Sequence, residues 1–349
     1  MTTSNYLSVR QEWLDRVTEP ALEPELPIFD AHHHLWDRPG WRYLFDELLA
    51  DVNGSGHRIV GTAFMQCQAM YRADGPPSLR PVGETEFVNG VAAMAASGNY
   101  GEIRACAAII GHADLRLGKQ VENALHAHLA AAPARFRGIR HVTTWDADSS
   151  LMNPLSAGPP GMLLNPQFRE GFACLAPLGL LFEAWLFHPQ LPELIDLARA
   201  FPGTTIVLNH CGGIVGIGTY AGRREEVFRH WSQSVTELAR YPNVHVKLGG
   251  LGMRINGFGF ELGENPPASD HLATAWRPYI ETCIEAFGAE RCLFESNFPV
   301  DKGSYSYGAC WNAFKRLTQD ASPSERGALF RNNAISLYRL EDVLGTAWA

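Results

Sequence analysis

A single (β/α)8 barrel is the fold class this sequence predicts, on three observations. Eight apolar, β-rich stretches alternate with helical patterns along 349 residues, the order expected of consecutive parallel βα units. The length exceeds the roughly 250 residues a barrel usually takes, leaving room for an N-terminal arm and long loops. No G-x-G-x-x-G follows the first strand, which argues against the rival architecture, a doubly wound open sheet.

The predicted strands run Ile28–His32, Ile59–Gln66, Arg104–Ile110, Gly138–Val142, Leu180–Phe187, Thr204–Asn209, His245–Leu248 and Arg291–Glu295. Helical patterns lie between them at Thr85–Ser97, Gly118–Ala132, Leu191–Phe201, Arg223–Tyr241, Trp276–Phe287 and Ser306–Thr318. The surplus falls into an arm (1–26) and loops at Tyr71–Val82, Asp146–Pro166 and Arg254–Ser269, all rich in Gly, Pro and aromatics. No linker, repeat or low-complexity run divides the chain, so one domain over 1–349 is expected.

Composition bounds the function. Hydrophobic residues make up 46% of the chain, which excludes a disordered protein. There are 29 Lys+Arg against 37 Asp+Glu, a net charge of −8. An acidic chain argues against nucleic acid or an anionic membrane as partner, because both need a basic face. No run of 18 uncharged apolar residues exists to span a bilayer, and Met1–Leu26 carries Arg10, Asp15, Arg16 and Glu19, unlike a secretory signal. Seven cysteines without a C-x-x-C pair suggest reduced thiols and a cytoplasmic protein. The expected partner is a small-molecule substrate, with homo-oligomerisation left open.

In a barrel the chemistry sits at the C-terminal ends of the strands. Phe29-Asp30-Ala31-His32-His33-His34-Leu35-Trp36 ends the first strand. Alternate side chains of a strand share a face, so His32 and His34 point together and His33 points away. Two imidazoles at that spacing suit a divalent metal or paired proton donors. His188 ends the fifth strand, and Pro189 halts the ladder after it. His210 ends the sixth, before glycines that let a ligand approach the backbone. Glu295 and Asn297 share a face of the last strand, with Asp301 beyond. A buried Glu295 needs a partner, Lys247 being one choice, or its pKa rises. Arg140, with Arg38 and Arg254, is a candidate for holding a substrate carboxylate. Trp36, Tyr71 and Trp185 belong to an aromatic wall that suits a ring-bearing or apolar substrate.

These residues, in this order, resemble the amidohydrolase superfamily, in the branch of sugar lactonases and 2-pyrone-4,6-dicarboxylate lactonase. Asp30 to Trp36 is similar to that family's D-x-H-x-H, and Arg137-Gly138-Ile139-Arg140 to its R-G-I-R. Asn209-His210-Cys211-Gly212 is similar to its D-H-x-G, and Asn243 to Gly250 to its N-V-x-V-K-x-S-G. The resemblance spans about Ile28 to Leu340. It implies a distorted barrel and hydrolysis of a lactone, ester or amide. It also implies a divalent metal (Zn²⁺, with Mn²⁺ the alternative) on His32, His34 and His188, or histidine-only polarisation with no metal. His210 would stabilise the oxyanion or orient the substrate. A more distant resemblance, through His188-Pro189, is to the aminocarboxymuconate-semialdehyde decarboxylase branch, which makes a metal-dependent lyase the alternative activity. A non-catalytic binding barrel is the third.

One segment departs from the family pattern. Where the family has G-S-D-W-P, with the Asp as general base, this chain reads Glu295-Ser296-Asn297-Phe298-Pro299. An amide cannot take a proton at neutral pH. The base is therefore expected at Glu295, one layer deeper, or at Asp301, unless the hydrolytic mechanism is lost.

Overall fold

The computed structural model describes residues 6–153 and 157–341. Residues 1–5 of the arm, 154–156 of the predicted 146–166 loop, and 342–349 lie outside the described residues. Eight parallel strands pair in chain order: β1 Ile28–His33, β2 Ile59–Met65, β3 Arg104–Gly111, β4 Phe136–Arg140, β5 Leu181–Ala184, β6 Ile206–Leu208, β7 Val244–Leu248 and β8 Cys292–Phe294. The segment just past β8 closes the ring. His33 bridges Phe298, the His34 N–H donates to the Phe298 carbonyl at 2.8 Å, and the Asn297 N–H donates to the His32 carbonyl at 2.9 Å. The seam therefore brings the polar ends of the first and last strands together. The fold is the (β/α)8 barrel expected from the sequence.

A helix follows each strand: α1 Phe45–Gly54, α2 Val82–Ala96, α3 Glu122–Ala131, α4 Pro166–Phe172, α5 Leu191–Ala200, α6 Arg224–Leu238, α7 Ser269–Phe287 and α8 Tyr307–Leu317. Two of these, α1 and α4, were not expected, nor was the hairpin Trp36–Arg38/Trp41–Tyr43 that follows β1. In α1 the fully buried positions are few: Phe45, Leu48 and Val52, with Leu49 partly buried beside them, seat ten residues against the core. In α4 Pro166 stands at the first turn and Asn165 caps it, accepting from the Gln167 and Phe168 N–H groups. A Pro at that position starts a helix as readily as it ends a loop.

The strands are buried on both faces, as a parallel sheet requires. One layer packs against the helices. A second fills the barrel with Phe29, Val60, Leu181, Val207 and Leu293, joined by Ala334, Tyr338 and Leu340 from the C-terminal segment. Arg137 of β4 grips that segment by donating to the Tyr338 carbonyl. Inside the barrel Lys247 pairs with Glu183 at 2.8 Å rather than with Glu295, and Glu183 also accepts from the Tyr338 hydroxyl at 2.7 Å and from the Asn209 amide. Removing one partner of such a buried pair typically costs about 3–5 kcal/mol.

Candidate active site

Glu295, just beyond β8, is fully buried and lies between two histidines. Its Oε1 accepts from both the backbone N–H of His210, at 3.0 Å, and the ring Nδ1 of His210, at 2.7 Å. One oxygen can take both because the chain turns sharply after β6: His210 and Cys211 have φ of 55° and 51°, the left-handed region. Strained, non-glycine residues of this kind cluster at functional sites. The turn needs room from β7. A Cβ on Gly250, itself at φ 64°, would come within 2.2 Å of His210 Nδ1, so only glycine fits there.

The other oxygen, Oε2, lies 2.7 Å from His32 Nδ1, in contact but out of line for a hydrogen bond. His32 Nε2 lies 3.1 Å from Arg140 Nη1. A guanidinium only donates, so His32 Nε2 accepts and its hydrogen sits on Nδ1, toward Glu295. The same logic fixes His34: its Nδ1 stands 2.9 Å from the Met65 carbonyl, which only accepts, so its Nε2 is bare. Burial pushes the pKa of His32, His34 and His210 down; charges on Lys247 and Arg140 add to this for His32, Arg140 adds to it for His34, and Glu295 opposes it for His210. Neutral imidazoles result, able to accept protons or bind a metal.

His32 Nε2 and His34 Nε2, neither carrying a hydrogen, thus stand 3.3 Å apart, the first accepting from Arg140. Two imidazoles on one tetrahedral Zn²⁺, at about 2.0–2.1 Å each, stand roughly that far apart. One ligand atom from each of His32, His210 and Glu295 also lies within 4.8 Å of the others. The donor set therefore fits a divalent cation, although the Arg140 charge beside His32 disfavours one on that side.

The cavity in front of this cluster has about 530 Å³ of space open to solvent. His34, Trp36, Arg140, Trp185, His210 and Asn297 are on its wall. With Nδ1 of His210 held by Glu295, Nε2 is left for the cavity. Asn297, at φ 56°, donates its amide to Asp301 Oδ1 at 2.8 Å. Asp301 also accepts from the Gly252 N–H at 2.9 Å and from the Tyr305 hydroxyl, and burial pushes its pKa up to about 7. Neither Glu295 nor Asp301 is on the cavity wall; each stands behind a residue that is.

Two sequence candidates lie away from the cluster. His188 opens a 3₁₀ turn, accepts from the Val215 N–H at 3.2 Å and sets its ring against Tyr220. Tyr71 has a buried hydroxyl without a hydrogen-bond partner and does not line the cavity. Three residues escaped the sequence analysis. Gln66, past the end of β2, lines the cavity with a buried, unpartnered Oε1. Its strand-end position was the signal available for it. Tyr6 reaches the cavity from the arm, 5.4 Å from the Trp41 ring. Glu84 accepts from the Cys67 and Ala69 N–H groups at 2.9 and 2.8 Å, fixing the loop beside Gln66; burial pushes its pKa up to about 7.

The barrel thus carries histidines on the ends of its first and sixth strands and a carboxylate just past its eighth. The amidohydrolase family model matches residues 29–340, and the chain belongs to that family. It is a hydrolase. It is 34% identical over 329 residues to the protein y4mH of Sinorhizobium fredii, covering 90% of this chain and 99% of that one. It is 27% identical over 326 residues to the L-fucono-1,5-lactonase of Burkholderia ambifaria, covering 89% and 95%. An amidohydrolase from Burkholderia multivorans, solved with bound zinc, shares the fold with a TM-score of 0.69 at 23% identity, covering 90% of this chain and 99% of that one. No helix among the described residues is long and apolar enough to cross a membrane.

Proposed function

We propose that the protein hydrolyses a lactone, opening the ring to a hydroxy acid. The observation that carries this is the Glu295–His210 contact at 2.7 Å, with the imidazole on the wall of a cavity that Arg140 also lines. A carboxylate on Nδ1 sets the tautomer and orientation of a histidine whose Nε2 then serves as general base. In this mechanism His210 Nε2 takes a proton from water as its oxygen bonds to the lactone carbonyl carbon. Arg140, and the loop that Glu84 fixes, surround the oxygen on which negative charge develops. The tetrahedral intermediate collapses, the ring C–O bond breaks, and the leaving alkoxide takes the proton back from His210. Glu295 and Asp301 act as positioning residues, the first through His210 and His32, the second through Asn297. A divalent metal, Zn²⁺ or Mn²⁺, would be held by His32 with His34, or with His210 and Glu295, and would supply Lewis-acid polarisation of the carbonyl.

The L-fucono-1,5-lactonase relative supports the reaction class. The test is a panel of γ- and δ-lactones followed with a pH indicator, since each ring opened releases a proton. Turnover is expected, falling at least roughly 100-fold in His210→Asn. A folded protein that opens none of the panel, or that releases carbon dioxide from carboxylated aromatic acids, would replace the hydrolytic assignment with the lyase alternative.

A further inference from the structure

The cavity has a second lobe. Tyr6, Trp185, Met253 and Val300 line both halves, so the two lie side by side and share a wall. The second lobe, also with about 530 Å³ of open space, has an apolar wall built by Leu7, Leu151, Phe187 and Ile255. Trp185 is the partition: the edge of its ring meets His210 at 4.7 Å on one side, and Phe187 stands 6.0 Å away on the other. Behind this wall, His188 holds the 215–220 loop through the Val215 N–H and Tyr220, which gives that histidine a structural task. Polarity is divided the same way. The charges of Arg38 and Arg140 and the imidazoles of His34 and His210 face the first lobe, whereas in the second the one charged lining residue is Arg254, which is exposed, with Thr144 and Asn153 as further polar lining.

From this division we infer that the substrate carries a hydrocarbon substituent, alkyl or aryl, that occupies the second lobe while its lactone carbonyl faces His210 and Arg140. The inference rests on the hydrolase assignment above and narrows the substrate class. A polyhydroxylated sugar lactone has a hydroxyl on nearly every carbon. Those entering the second lobe would lose water with only Thr144, Asn153 and Arg254 beside its apolar wall to replace it. A methylene entering it gains roughly 0.8 kcal/mol, about fourfold in affinity. A carbon chain is therefore favoured there and a polyol is not.

The experiment uses the full chain and δ-lactones bearing no substituent or a three-, five- or seven-carbon alkyl group on the ring carbon next to oxygen. kcat/KM should rise by roughly two- to fourfold per methylene before levelling off. Leu7→Asp, which puts a charge on the lobe wall away from the reacting groups, should cancel that rise and leave the unsubstituted lactone unaffected. A flat series, or a rise that survives in Leu7→Asp and in a second variant, Ile255→Asn, would overturn the inference. Calorimetric binding of the corresponding 5-hydroxyalkanoates separates this from failure of the hydrolase assignment. If no lactone is opened but affinity still grows with chain length and is lost in Leu7→Asp, the lobe stands and the hydrolase assignment falls. If affinity is independent of chain length, the lobe assignment falls whatever the activity.

Discussion

Asn297 donates its side-chain amide to Oδ1 of Asp301 across 2.8 Å, with both residues buried. At this strand end the chain carries a neutral donor that satisfies an acid behind it. An Asn297→Asp variant would set two carboxylates against each other in a dry site. Asp301 already has its pKa raised to about 7, well above its unfolded value. A carboxyl raised in the folded state binds its proton more tightly there, so stability is lost as the pH rises through that value. Asn297→Asp should therefore melt near the wild-type temperature at pH 5 and lower at pH 8, by roughly 2–4 °C at most for each kcal/mol of repulsion in a chain of this size. Equal drops at both pH values would show that repulsion between the two acids is not the cause.

The two contacts of Glu295 make it a positioning residue, so its loss should not add to that of His210. Glu295→Gln is expected to lower kcat by roughly 10²–10⁴ with little change in KM. The double variant with His210→Asn should be no worse than His210→Asn alone. Steady-state kinetics on all three decide it. Additive losses would give Glu295 a separate role, as the proton acceptor itself.

Metal content is a direct measurement. The 3.3 Å approach of two nitrogens that carry no hydrogen predicts about one divalent ion per chain in elemental analysis of protein purified without chelator. Chelation should remove both ion and activity, and Zn²⁺ or Mn²⁺ should restore them. Full activity in ion-free protein would leave Arg140 and the imidazoles as the polarising groups.

Much of this was legible in the chain because barrel strands are apolar and end in the residues that react. All eight strands were located, with ends shifted by one to a few residues. The pairing of His32 with His34 followed from the period of a strand. What the sequence hid was depth. Glu295 and Asp301 were visible as nearby acids, but each is closed off by a neighbour, His210 or Asn297, which depends on contacts spanning 85 residues in one case and a local turn in the other. His188 ends a strand like His210 does, yet a 3₁₀ turn carries its ring behind the apolar wall. Tyr6 and Glu84 gave no local signal, because an arm crossing a cavity and a helix start gripping a loop are written only in distant contacts.

The floor of the barrel has a consequence for how the molecule is made. Tyr338 reaches Glu183 inside the barrel, and Leu340 and Ala334 pack among residues of β1, β2 and β5. Synthesis proceeds from the N-terminus, and domains fold as units as they emerge. Until the last of these residues has been translated, the lower mouth of the barrel stands open and the Lys247–Glu183 pair meets water. The earlier strands must wait, partly formed and with apolar surface showing, until Ala334, Tyr338 and Leu340 arrive to cover them.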